Sequence, residues 1–167
     1  MRAVAIIASI LLGSTAVVTD PRDAGGKLDL RSVKAVRDGK LLRLTISTYG
    51  PWHSSLLRSE GVGTSRPPLG TNRLTILYDV NNDGKADFTG RIVYRGKLSM
   101  WIGGKGSAFE PVPVSRPTLS SARLVHPVDV LFTGGGAKTL RLAITSMNGT
   151  HRDRLPDHGW ITLVYHL

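Results

Sequence analysis

The shortness and phase of its apolar runs limit this chain to few folds. From Lys40 to Ser47, Leu42, Leu44 and Ile46 fall on one face and Arg43, Thr45 and Ser47 on the other. That two-residue period is the signature of a half-buried strand. The stretch 73–78 repeats it with Leu74, Ile76 and Tyr78. Phe88, Ile92 and Tyr94 share one face beyond the next turn, and 97–102 forms another short run. Leu28, Leu30, Val33 and Val36 open the series, and runs at 122–125, 128–132, 140–145 and 160–166 complete it. No 3.6-residue stripe lasts more than two turns. Eight or nine short strands separated by glycine, proline and asparagine imply an all-β fold, an antiparallel β-sandwich of jelly-roll-like form. Segment 50–70, rich in Gly, Pro and Ser, reads as a surface loop with one helical turn around Ser54 to Arg58. Segment 103–117 reads as a second loop and Gly134-Gly135-Gly136 as a tight one. There is no internal repeat.

The first residues carry a different signal. Met1-Arg2, an apolar run over 3–12, Gly13, and the small residues Ser14 and Ala16 match a signal peptide cut after Ala16. The alternative is a buried N-terminal strand or helix. The run is about half the roughly 20 apolar residues that a membrane-crossing helix needs, so export rather than anchorage is expected. Residues 1–16 then form the leader and 17–167 a single secreted domain. With no cysteine in the chain, a packed core or a metal must replace disulfides. The net charge of +10 favours anionic partners such as polysaccharide or a cell-envelope polymer. The excess is mostly arginine scattered singly, without a run of five, so a solvated basic surface is expected and no specific nucleic-acid site. A monomer is expected.

The sharpest motif is Asp79-Val80-Asn81-Asn82-Asp83-Gly84-Lys85-Ala86-Asp87. Oxygen-bearing side chains at relative positions 1, 3, 5 and 9 around a glycine at 6 follow the front of a calcium loop. Asp79, Asn81, Asp83 and Asp87 would ligate through side chains and Lys85 through its carbonyl. The glutamate of an EF-hand is missing, since position 12 is Gly90, and strands flank the loop. The plainer reading is a hairpin bend whose left-handed residues come from Asn82-Asp83-Gly84.

Two more acidic clusters lie near the ends, Asp20-Pro21-Arg22-Asp23 with Leu28-Asp29-Leu30, and Asp153-Arg154-Leu155-Pro156-Asp157-His158-Gly159. With the central aspartate loop, they resemble a family of secreted, chiefly actinobacterial proteins of unassigned function. More distantly the frame is similar to β-sandwich modules of the DOMON, carbohydrate-binding and glucodextranase C-terminal type. That resemblance implies calcium, and in some members sugar or haem. Carried onto this chain, it implies that Asp20, Asp23 and Asp29 meet Asp153 and Asp157 around a second cation. The alternative is ordinary turn chemistry at Asp20-Pro21 and Pro156-Asp157. Haem is not expected, because His53, His126, His151, His158, His166, Met100 and Met147 show no ligand spacing.

Catalytic motifs are absent. Glu60 and Glu110 are the only glutamates and fall in expected loops. No nucleophile elbow, zinc-protease or phosphate-loop pattern occurs, so a non-enzyme is expected. Trp52 and Trp101, beside loop glycines, are candidate platforms for a sugar ring, though either can equally plug the core. Trp160 reads as core in the last strand. Two roles remain open: a calcium-stabilised module binding carbohydrate or an anionic envelope polymer, or a structural or protein-interaction domain in which calcium only stabilises the fold.

Overall fold

The computed structural model describes residues 8–9, 14–38, 41–58, 71–104, 110–115, 118, 120–127, 131 and 139–164. The chain is an all-β antiparallel sandwich. One sheet is ordered β1-β2-β3-β4-β9, from β1 (Ala8–Ser9), β2 (Thr15–Thr19), β3 (Leu30–Asp38), β4 (Leu41–Thr48) and β9 (Ser121–Pro127). The other runs β11-β10-β5-β6-β7-β8, from β5 (Asn72–Asp79), β6 (Phe88–Arg95), β7 (Lys97–Gly104), β8 (Glu110–Pro113), β10 (Thr139–Asn148) and β11 (His151–Leu155). β12 (Ile161–Val164) also pairs with β10. β11 covers 144–148 of β10 and β12 covers 139–142, in tandem along one edge.

The alternation read in the sequence builds the interior. Leu42, Leu44 and Ile46 of β4 and Val33 and Ala35 of β3 point inward against Leu74, Ile76 and Tyr78 of β5, Met100 of β7, and Leu140, Leu142 and Ile144 of β10. Fully burying such an aliphatic side chain stabilises by about 1.5–3 kcal/mol. One polar contact bridges the sheets inside this core. Tyr78 Oη donates to His126 Nε2 at 2.9 Å, while His126 Nδ1 lies 2.9 Å from the Pro127 carbonyl. Burial lowers the His126 pKa, so the ring is held neutral.

Two expectations change, the strand count and the second loop. Twelve strands rather than eight or nine are present among the described residues, because β1 and β2 lie in and beside the segment read as a leader and β8 and β11 carry no alternating apolar signal. Thr15 and Ala16 pair with Val36 and Ala35, so a cut after Ala16 would leave Val17–Thr19 of β2. The expected loop at 103–117 starts inside β7 and includes β8, whose two prolines sit on a sheet edge, where a missing ladder donor is tolerated. The helical turn is found, as a 3-10 turn at Ser54–Leu57. Glu60, Lys40, His166, Gly134-Gly135-Gly136 and most of 50–70 lie outside the described residues, as does the run 128–132 except for buried Leu131. Among the described residues no helix is long and apolar enough to cross a membrane.

Candidate metal centre

The two ends of the described chain meet at one edge of the sandwich. Asp20 directly follows β2, and Asp23 and Asp29 belong to the loop leading into β3. Asp153 is central in β11, and Asp157 lies in the turn towards β12. Three bonds fasten the 20–29 loop across the gap between sheets. Asp153 Oδ2 accepts the Leu30 N–H at 2.6 Å, Ser146 Oγ donates to the Leu28 carbonyl at 2.6 Å, and Asn148 Oδ1 accepts the Lys27 N–H at 2.9 Å. Gly26 sits at φ +83°, and a Cβ there would come within 2.8 Å of Asn148 Oδ1, so glycine allows this close approach. Tyr49 anchors the loop start, its hydroxyl donating to the Asp20 carbonyl at 2.6 Å and its N–H to the Asp29 carbonyl at 2.8 Å.

This stitching packs carboxylates together. Asp20, Asp153 and Asp157 bring one oxygen each within 4.8 Å of one another, and so do Asp23, Asp29 and Asp153. Asp20 and Asp29 are buried, at 6% and 1% exposure. Asp20 Oδ2 and Asp29 Oδ1 have no hydrogen-bond partner. Burial pushes the Asp20 carboxyl up to about 7, with the charges of Asp153, Asp157, Asp23 and Asp29 adding to it. Burial also raises Asp153, against the pull of the Leu30 and Arg154 amides. The Arg154 guanidinium, next in sequence to Asp153, is engaged elsewhere. It donates to the Pro156 carbonyl, donates to the Gly159 carbonyl at 2.7 Å, and lies over the Trp160 ring at 5.6 Å. Among the described residues no salt bridge reaches the cluster. A buried, like-charged group without a cation is costly, and an all-oxygen donor set suits a hard divalent ion.

The loop between β5 and β6 behaves differently. Asp79 is fully buried. Its Oδ2 accepts the Gly84 N–H at 3.0 Å and lies 3.6 Å from Arg141 Nη1, while its Oδ1 has no partner. Asp87 turns onto the loop's own donors, accepting from the Val80 N–H at 2.8 Å, the Asn81 N–H at 3.3 Å and Asn81 Nδ2 at 3.1 Å. Asn81 Oδ1 accepts the Asp83 N–H, and Asp83 Oδ1 the Lys85 N–H. Asn82 and Gly84 supply the left-handed residues, at φ 63° and 84°. Among the described residues, the acidic sets that close within 4.8 Å are both at the terminal cluster. The loop carboxylates Asp79, Asp83 and Asp87 do not close in this way; all three accept backbone amides, and Asp79 also faces Arg141.

The aromatic platforms separate too. Trp52 is buried at 3% exposure in the core and offers no face to a ligand, which corrects that expectation. Trp101 is half-buried, donates through Nε1 to Ser99 Oγ at 3.1 Å and has Arg95 over its ring at 5.6 Å. Trp160 is half-buried and precedes β12 rather than lying in it. Sequence reasoning missed an open cleft of about 350 Å³ beside the 20–29 loop, lined by Lys27, His53, Arg58 and Asn72 among others, with no acid among the described lining residues. Its cations come from separate segments, so no motif marks it. Compared with known proteins, the chain matches no family model, no curated protein and no solved structure.

Proposed function

We propose that this chain is an exported, non-catalytic β-sandwich that binds a hard divalent cation, calcium foremost, at its terminal aspartates. The cation fastens the sandwich edge and the neighbouring surface engages an anionic envelope polymer or acidic carbohydrate. The observation that carries the reading is the convergence of Asp20, Asp23, Asp29, Asp153 and Asp157 with two buried carboxylate oxygens left without partners. A divalent ion would satisfy such an oxygen and offset the repulsion. Lys27 is both a neighbour of Asp29 and a wall of the basic cleft, so ordering of the 20–29 loop also positions that wall. The net charge of +10 supports the same class of partner.

Two measurements test this. Calcium should raise the melting temperature of chelator-stripped protein, and Asp20→Ala should reduce the rise; an unmoved melting temperature ends the cation reading. Retention on an acidic polysaccharide or purified cell wall should fall in Lys27→Ala/Arg58→Ala. Absence of retention leaves a domain in which the cation serves the fold alone.

A further inference from the structure

We infer that the terminal cluster holds two hard divalent cations side by side, with Asp153 bridging them. The inference rests on the cation-binding reading above and deepens it. Calcium–oxygen bonds of about 2.3–2.6 Å mean that ligands on opposite sides of one ion are separated by no more than about 5 Å. The five aspartates do not form one set of that size. They form two, Asp20 with Asp153 and Asp157, and Asp23 with Asp29 and Asp153, which share Asp153 alone. One ion therefore cannot reach all five carboxylates in this arrangement, whereas two can.

Three further observations agree. Each set contains its own deeply buried aspartate with a partnerless oxygen, Asp20 Oδ2 in one and Asp29 Oδ1 in the other. Each is an acceptor that protein groups leave unfilled. Asp153 is oriented for sharing, because its Oδ2 takes the Leu30 N–H at 2.6 Å and its Oδ1 the Arg154 N–H at 2.7 Å. A carboxylate oxygen has two lone-pair directions, so each keeps one free for a cation. Backbone donors of this kind fix the orientation of a metal-binding carboxylate. Charge points the same way: the five carboxylates of the two sets carry −5 when ionised. One divalent ion leaves −3 in a partly buried site and two leave −1. A residual −1 is compatible with the Arg154 guanidinium, which follows Asp153 directly in β11.

The test is calcium bound per chain at saturation, by equilibrium dialysis of the full chain, comparing wild type with Asp23→Ala and Asp157→Ala. Both residues are more exposed than Asp20 and Asp29, and each belongs to one set only, so these variants keep the buried bonds of the fold. Any ion in the 79–87 loop cancels in the difference. Each single variant should lose one equivalent and the double variant two. If the double variant loses one equivalent only, a single ion occupies the cluster; the two-cation inference falls and the cation-binding reading survives. If none of the three variants loses calcium, both fall.

Discussion

The bend between β5 and β6 and the edge where the chain's two ends meet both concentrate aspartates, but they answer the charge by different means. In the bend, the acids turn onto the chain itself, with the buried Asp79 Oδ1 left without a partner. Asp87 and Asp83 accept backbone amides, and buried Asp79 faces Arg141 across 3.6 Å. At the edge, Asp20 and Asp29 are buried with oxygens that no donor meets, and the nearby guanidinium is turned onto carbonyls. The lesson is that ligand spacing within a segment does not make the better cation site. What matters is whether carboxylates from separate segments close on one point, which they do at the edge.

The contrast is open to attack at four points. The largest expected effect is the response to calcium. At about 100-fold excess over the dissociation constant, binding should add about 2.7 kcal/mol, which for a chain of this length raises the melting temperature by about 5–10 °C. Calorimetry should find that gain reduced in Asp20→Ala and kept in Asp83→Ala. The reverse pattern would move the cation into the bend.

Next comes Arg141→Met, which strips the positive charge from buried Asp79. We expect a loss of about 2 kcal/mol in urea unfolding, below the roughly 3–5 kcal/mol of a fully enclosed pair because Arg141 keeps contact with water. Adding Asp79→Asn should recover part of it. A neutral Arg141→Met would show that the bend needs no internal cation. Smaller still, Asp87→Ala should cost about 1 kcal/mol through three lost hydrogen bonds to the loop, equally with calcium and with chelator. A loss seen only with calcium would make Asp87 a ligand.

Set apart from these by its sign is the pH dependence of cation-free protein. The folded state holds a proton on Asp20 up to about 7, whereas the unfolded carboxyl loses it near 3.8. Between those values the folded chain binds more protons, so this contribution to stability is lost as pH rises through the window. His126 runs the other way. Its folded pKa is lowered, so the stability from its neutral form is present above 6.5 and lost as pH falls below it. Asp20→Asn should remove the first slope and leave the second, and calcium affinity of wild type should rise with pH as the Asp20 proton is displaced. An unchanged slope in Asp20→Asn would show that its carboxyl is not the titrating group.

Legibility in the sequence followed the same division. β4 and β5 were readable because half-burial writes an alternating pattern directly into the residues. β11 was not, because four of its five residues leave the core free and only Leu155 is buried. β8 was hidden by Pro111 and Pro113, which an edge position tolerates and an interior one would not. The aspartates themselves were legible at both sites. Their use was not, since it depends on partners far along the chain: Arg141 for the bend, and Asp153 reaching the Leu30 amide across 123 residues for the edge. The place of Trp52 likewise turned on packing that a loop-like neighbourhood, Gly50-Pro51, conceals.

One flank of β10 is served by two short strands end to end rather than by one long one. A continuous neighbour would commit its residues to alternating faces and leave no run of them free to rearrange. The break from Pro156 to Trp160 suspends that discipline at one place, and Asp157 stands there. Changes of length or composition in this gap can therefore retune what the edge holds while β10 keeps both of its seams, a division of labour that lets the rim vary without redrafting the barrel of apolar side chains beneath it.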